Sequence, residues 1–493
     1  MSAVVVIGAG LSGLSAACHL IGQGRRVVVL EREAGPGGRG LRVEQDGFTF
    51  DLGPTVMTMP ELLDEPLRAA GSSQQEAVPM RRLDPGYRGL FADGSELRVR
   101  DTTAGTAAEI ERLAGAADAR AFEELESFLR TLYETELPHF IDKNFRSPLD
   151  LLAHPRAAAR LVRMGAFGTL GRLVNSRVAD ERVRRMLSFQ ALYAGLSPTT
   201  ALGVYAVITY MDTMRGVYLP DGGMGAIADG MADVVARQAD VRYGTTVTAV
   251  LRRKDGSVAG VDTDAGTVSA DAIVCTLDTP VAYRELLGWL RPPRAVRRPV
   301  YSPSAAVWHV GVRGALPDGV AHHNVHFGRA WEQCFTELVD QGRLMSDPAR
   351  LVTVSSLGEP SLAPPGAHTL YVLEPVPNLD GAVDWDIERA PLRERLHAFL
   401  SANGYPDDIV TERLVTPVEW RDLGMGGGTP FGLAHLFRQT GPFRPANQEP
   451  RVPGLFFAGS STVPGVGVPM VLISGKLAAQ RVAGWLGGAR GAA

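Results

Sequence analysis

Gly8, Gly10 and Gly13 stand in a G-x-G-x-x-G spacing, with Leu11 and Ser12 between the last two, and Glu31 follows about twenty residues further on. Residues of these types at this spacing bind a dinucleotide. The first glycine allows a tight turn, the second lets the backbone approach a pyrophosphate, and the third lets a helix pack on a strand. The pyrophosphate rests on the helix N-terminus, whose free N–H groups and dipole favour an anion. The Glu31 carboxylate is placed for a ribose 2′-hydroxyl, which favours FAD or NAD over NADP, whose 2′-phosphate wants an arginine. The elements that must hold these groups are legible around them. Residues 4–7 are an apolar run suited to a buried parallel strand, 11–20 have helical spacing, and 27–30 form a second apolar run that ends at Glu31.

Beyond Glu31, Arg32 adjoins the ribose carboxylate, and Gly37-Gly38-Arg39 follows. A glycine pair and an arginine at this place resemble the second FAD signature of flavoproteins with two dinucleotide-binding domains. That resemblance implies FAD, with backbone at Gly38 close to the diphosphate and Arg39 supplying charge. The rest of the chain shows no second nucleotide fingerprint, no zinc spacing and no Ser-His-Asp arrangement. His322 and His326 invite a metal reading, but on an extended segment they stand roughly 13 Å apart. They are expected in a polar strand, with no metal.

Composition narrows the class. The chain has 493 residues, 45% hydrophobic and 21% charged, which suits a large globular core. A net charge of −4 carries no footprint of nucleic-acid binding. Cys18, Cys275 and Cys334 are scattered and odd in number, which points to a reducing, cytoplasmic compartment. A nucleotide strand that begins at residue 4 leaves no room for a signal peptide. With no run of eighteen apolar residues, no membrane-spanning helix is expected.

Organisation follows from pattern. Residues 48–60 read as a strand and a proline-broken loop, and 60–214 as mostly helical. Gly222-Gly223-Met224-Gly225 marks a turn before a helix at 226–238. Short strands at 241–243, 247–252, 258–263 and 272–276 are split by Asp-Gly and glycine turns. Further strands are expected at 305–312 and 369–373 and a helix at 391–403. Residues 454–482 predict a strand, a glycine- and proline-rich loop and a long helix. The expected division is 1–70, 216–285 and 441–493 for the three parts of an FAD-binding domain, 71–215 for a helical substrate and membrane-contact region, and 286–440 for a substrate-binding sheet.

Four blocks, in order along the chain, resemble the bacterial-type phytoene desaturases, flavoproteins of carotenoid synthesis. They are GGRG with GFTFDLGPTVMTMP, DERVRRMLSFQALYAG (180–195), GTPFGLAHLFRQTGPFRPAN (428–447) and GLFFAGSSTVPGVGVPMVLISGKLAA (454–479). The implied fold is α/β: a discontinuous Rossmann-like FAD-binding domain, an inserted mixed-sheet substrate domain and a helical, membrane-facing region. The implied cofactor contacts are Gly53, Pro54, Thr55, Val247, Gly459, Ser460, Gly467, Val468, Pro469 and Met470. Two departures stand out. Ser460-Ser461 follows Gly459 where many flavoproteins place an acid, and Val463 stands where family members frequently carry histidine.

The resemblance implies FAD-dependent desaturation of phytoene or a related acyclic carotene, by hydride transfer to flavin and loss of a proton. Glu181 and Arg184 are the implied catalytic pair; as i,i+3 neighbours they also suit a surface ion pair. The implied substrate is a long hydrophobic polyene, and oxygen or a quinone would reoxidise the flavin. Residues 156–185 carry eight arginines among apolar residues. An enzyme that collects lipid from a bilayer without a spanning helix can dock through such a segment, and Arg160, Arg163 and Arg172 are the expected contacts, on the inner face of the membrane. Tyr193, Tyr205, Tyr210, Phe431 and Phe437 suit either a substrate tunnel or ordinary core. The alternatives are a relative that desaturates or cyclises a polyene or polyketide-derived chain, a carotene isomerase, and a non-enzymatic prenyl-lipid carrier. A carrier has no need of Gly8, Gly10, Gly13, Glu31, Gly38 and Arg39 together.

Overall fold

The computed structural model describes residues 2–145 and 147–490. Five short strands form a parallel sheet in the order Leu455–Phe457, Ala272–Cys275, Ala3–Ile7, Arg26–Leu30, Asp240–Arg242. Three distant parts of the chain therefore build one nucleotide-binding sheet, as the resemblance implies. Both faces of the inner strands are covered, which is why residues 4–7 and 27–30 are unbroken Val, Ile and Leu rather than alternating. The helix Leu11–Gly22 crosses the last helix, Val468–Arg490, at very short range. A Cβ on Gly475 would lie 2.4 Å from the Ser12 carbonyl oxygen, so only glycine fits there. Ser15 Oγ donates to the Leu472 carbonyl at 2.7 Å across the same crossing.

A seven-stranded mixed sheet runs Asp408–Val415, Ser304–Arg313, Ala367–Val376, Arg350–Val354, His323–Phe327, Tyr87–Phe91, Glu96–Val99. Side chains alternate across it. Ala306, Trp308, Val310 and Val312 pack under Leu392, Leu396 and Leu400 of the helix Trp385–Ala402. Ala305 and Val307 face the other way, toward Trp420 and Tyr371.

The largely helical region is led by the 21-residue helix Ala116–Glu136, which buries Phe122, Leu125, Leu129 and Leu132. The helical reading of 60–214 passed over the strands Tyr87–Phe91 and Glu96–Val99. Tyr87, Gly89 and Phe91 alternate with half-buried residues, and Gly94 turns the hairpin at φ 84°. No described helix is long and apolar enough to cross a membrane.

The histidines at 322–326 are built into this frame. His323 is buried between the carbonyls of Thr55 and Gly86, at 2.9 and 3.1 Å. Burial pushes its imidazole down to about 4. His326 Nε2 meets Tyr405 Oη at 3.1 Å.

Candidate active site: a nucleotide cleft opening into an apolar cavity

A cavity of about 840 Å³ runs from the nucleotide sheet into the helical region. Its first half is polar and glycine-lined. Gly8, Gly10, Leu11 and Ser12 form the turn from the first strand into the first helix. Among the described residues no side chain caps that helix, so its first N–H groups stay open to an anion. Gly13 does not face the cavity. A Cβ there would lie 2.1 Å from the Gly8 carbonyl oxygen, so this glycine serves the packing of helix on turn.

Glu31 lies at the far edge of the cleft, buried and oriented by backbone. Ala9 N–H donates to its Oε2 at 2.7 Å and Glu33 N–H to its Oε1 at 3.0 Å. Arg32 and Val247 stand beside it on the wall, together with Thr245 and Thr246, which sequence reasoning passed over. Arg32 Nη2 donates to the Leu423 carbonyl at 2.7 Å. Gly38, Arg39, Gly53, Pro54 and Thr55 close the near side. A Cβ on Gly53 would lie 1.8 Å from the Arg39 carbonyl oxygen. Arg39 is not a free cation: Nη2 pairs with Asp278 Oδ1 at 2.7 Å and Nε donates to the Pro430 carbonyl at 2.9 Å.

Gly459, Ser460, Gly467, Val468, Pro469 and Met470 lie where the polar half meets the apolar half, between the last strand and the last helix. Arg444 holds this loop from behind. Wholly buried, it donates to the carbonyls of Leu433, Gln439, Ser460 and Thr462, and burial pushes its guanidinium down to about 10. Nothing about Arg444 in its sequence block distinguished it from a surface arginine. Among the described residues, Ser460 Oγ, buried at the cavity wall, has no hydrogen-bond partner. An open helix N-terminus, an oriented carboxylate and an unpartnered hydroxyl along one cleft fit FAD.

The second half of the cavity is apolar, lined by residues such as Phe140, Phe145, Leu161, Leu202, Val204 and Ile208. Tyr205, Phe431 and Phe437 line it, whereas Tyr210 is core and the Tyr193 side chain lies outside the described residues. Val162, Phe167 and Phe437 line it and yet are 64%, 51% and 60% exposed, which marks its mouth. Titratable groups interrupt the apolar wall, among them Asp212, His435 and Glu136. Asp212 accepts from Tyr87 Oη at 2.6 Å and from Gln190 Nε2 at 3.4 Å, and burial pushes its carboxyl up to about 6. His435 accepts Val466 N–H at Nε2, 3.4 Å away, and burial holds its imidazole far below the usual range. Among the described residues nothing hydrogen-bonds Glu136 Oε1, and burial holds its carboxyl well above the usual range.

The expected catalytic pair is not brought to this cavity. Glu181 is exposed and pairs with Arg185, one helical turn on, rather than with Arg184. Arg184 Nε donates to the Val178 carbonyl at 2.6 Å. The i,i+4 geometry, with the acid N-terminal to the base, accounts for the choice of partner.

The fold and cleft define a flavoprotein of the amine-oxidase type. Solved structures agree at the level of fold. An oxidoreductase from Methanosarcina mazei has a TM-score of 0.62 at 18% identity, over 96% of this chain and 99% of that one. Cyclohexylamine oxidase from Brevibacterium oxydans has a TM-score of 0.61 at 19% identity, over 99% of each chain. In sequence, residues 11–483 match the family described as flavin containing amine oxidoreductase. A phytoene dehydrogenase of Streptomyces griseus is 48% identical over 491 residues, 98% of this chain and 95% of that protein. A zeta-carotene-forming phytoene desaturase of Myxococcus xanthus is 37% identical over 494 residues, 98% of this chain and 94% of that one. The chain belongs to the flavin containing amine oxidoreductases and, within them, to the bacterial-type phytoene desaturase family. It is an FAD-dependent oxidoreductase.

Proposed function

We propose that this protein desaturates phytoene or a closely related acyclic carotene in carotenoid biosynthesis. The observation that carries the reading is the continuity of a nucleotide cleft with a long apolar cavity whose mouth is exposed hydrophobic surface. Bound FAD supplies the two-electron acceptor for such a dehydrogenation. The chain's own residues bind and orient. The N–H groups at Leu11 and Ser12 receive the diphosphate, Glu31 the ribose hydroxyls, and Gly467 to Met470 the ring system. The walls around Phe140, Leu161 and Val204 hold the chain extended and exclude water. Oxygen or a quinone takes the electrons afterwards.

The substrate is lipid, and the reading places its collection at a membrane surface. Val162 and Phe167 protrude at the cavity mouth, and Arg160, Arg163 and Arg172 are exposed on neighbouring helices. Apolar wedges among cations suit an anionic bilayer on its cytoplasmic side. Replacing the three arginines by glutamine should weaken sedimentation with anionic liposomes; unchanged binding would refute this docking.

The test of the whole reading is incubation of the FAD-loaded protein with phytoene liposomes, followed by visible absorbance and chromatography. Coloured products with longer conjugation are expected, and their number counts the steps. Untouched phytoene beside demonstrably bound FAD would move the assignment to another polyene. A protein unable to take up FAD would favour a lipid carrier.

A further inference from the structure

Desaturation releases a proton as well as a hydride, and the apolar half of the cavity offers few groups to take it. Asp212 has both oxygens engaged by Tyr87 and Gln190. His435 has Nε2 engaged by the Val466 N–H, and burial holds its imidazole far below the usual range, which makes it a weak base. Arg350 is a cation paired with Glu374 at 2.7 Å. Glu136 differs from all of these. It lines the cavity at the end of the helix Ala116–Glu136, and among the described residues no group hydrogen-bonds its carboxyl. Burying an unpartnered carboxyl in an apolar wall is costly, so its presence asks for a reason.

Glu136 shares the cavity wall with Tyr205 and His435. The charge of Glu136 acts on the Tyr205 phenol. Tyr205 Oη bonds Thr440 Oγ1 at 2.6 Å and the His435 carbonyl at 3.1 Å. His435 in turn receives Val466 N–H from the loop before the last helix.

We propose that Glu136 is the group that accepts the proton lost when the substrate chain is desaturated. This rests on the desaturase reading above. In the step, a C–H bond on one carbon breaks toward Glu136, an O–H bond forms on its carboxylate, and the C–H electron pair becomes the new π bond. The neighbouring hydrogen leaves as hydride to the flavin oxidant, so one hydride and one proton account for both hydrogens lost.

A carboxylate with raised proton affinity is the stronger base, but it must first ionise. The rate of the chemical step therefore rises with pH toward the ionisation of Glu136. The elements packed against its helix carry Glu109, Glu111 and Arg112, His139, Arg156, Arg160 and Arg163, and Tyr210 and Asp212. None of them is hydrogen-bonded to the Glu136 carboxyl among the described residues, so burial alone sets its affinity.

The test uses the FAD-loaded protein, Glu136→Gln and Glu136→Asp, with phytoene liposomes in anaerobic single turnover across pH. A second readout is the infrared carbonyl band of a protonated carboxyl in the same holoproteins. Glu136→Gln should slow the first turnover about 100-fold or more, flatten its pH dependence and remove the band, with the flavin spectrum and melting temperature unchanged. Glu136→Asp should recover part of the rate and the pH dependence. An active wild type with a Gln variant of similar rate and pH profile would overturn the inference alone, as would a carboxyl band that survives the substitution. Wild type that leaves phytoene untouched would sink the desaturase reading and this step with it.

Discussion

Arg39 Nη2 donates to Asp278 Oδ1 at 2.7 Å, and the same carboxylate accepts Ser461 Oγ at 2.8 Å and Gly426 N–H at 2.9 Å. One buried acid thereby gathers three segments that border the cofactor cleft: the glycine-arginine segment, the loop at 426 and the loop after the last strand. Asp278→Ala leaves Arg39 and two further donors without their acceptor. Arg39 is partly exposed, which softens the loss, so the variant is expected to lose about 2 kcal/mol of unfolding free energy. A double-mutant cycle with Arg39→Ala in urea should show coupling of about 1 kcal/mol or more. Additive effects would mean that the pair is incidental.

Gly10 and Gly13 sit in one motif and fail for different reasons. Gly10 has φ −74° and ψ 170°, which any residue adopts, and a Cβ there meets nothing closer than 3.7 Å. Gly10→Ala should fold with stability within about 1 kcal/mol of wild type, yet bind FAD weakly because the methyl stands where the pyrophosphate approaches. At Gly13 the Cβ lies 2.1 Å from a backbone oxygen that cannot move without the turn. Gly13→Ala should lose about 2 kcal/mol or more even in the apoprotein. Urea curves of the apoproteins and FAD titration by flavin fluorescence separate the two. Equal apoprotein stabilities would remove the distinction.

What was legible in the sequence was local. The strand, turn, helix and second strand of residues 3–30 lie close together in the chain, and their apolar runs and glycines need no distant partner to be read. The fold class, a discontinuous Rossmann-like domain with an inserted mixed sheet, was likewise legible through the family resemblance. What was missed depends on contacts across long separations. Asp278 meets Arg39 across 239 residues, and Arg444 finds its four carbonyls only once the loops close around it. The strands 87–91 and 96–99 gain their sheet neighbour from 323–327, although Asp93-Gly94 was a turn signal in plain sight. Val463 leaves the loop without its frequent histidine. The fold instead packs His435 against that loop, so that a Cβ on Gly465 would lie 2.1 Å from its Cε1.

Arg444 is a cation satisfied entirely by carbonyl oxygens. Arg444→Met keeps the bulk and removes every donor, leaving the carbonyls of Leu433, Gln439, Ser460 and Thr462 short of partners. The expected cost is about 3 kcal/mol. Because two of those carbonyls belong to the loop at 460–462, bound flavin should also report the change. Its visible spectrum should lose fine structure, and limited proteolysis should cut the loop. Arg444→Lys should recover only part of the stability, since an ammonium cannot span four acceptors in a planar fork. A stable Met variant with an unaltered flavin spectrum would show that the carbonyls re-pair without it.

Asp212 links the cavity to pH. Its folded carboxyl sits at about 6 against an ordinary 3.8, chiefly through burial, with the hydrogen bonds from Tyr87 and Gln190 holding it lower than burial alone would. The folded state thus binds the proton more tightly than the unfolded chain. The resulting stability is fully present below the ordinary value and is lost as pH rises through about 6. Asp212→Asn keeps the shape and an acceptor for Tyr87 Oη, and it has no proton to lose. Wild type should therefore lose stability relative to Asp212→Asn between pH 4 and 6, by about 2 kcal/mol in total, and the difference should level off above that range. Urea unfolding of both proteins at half-unit steps of pH measures it. A constant difference across the range would mean that Asp212 stays ionised in the fold, its charge carried by Tyr87 and Gln190.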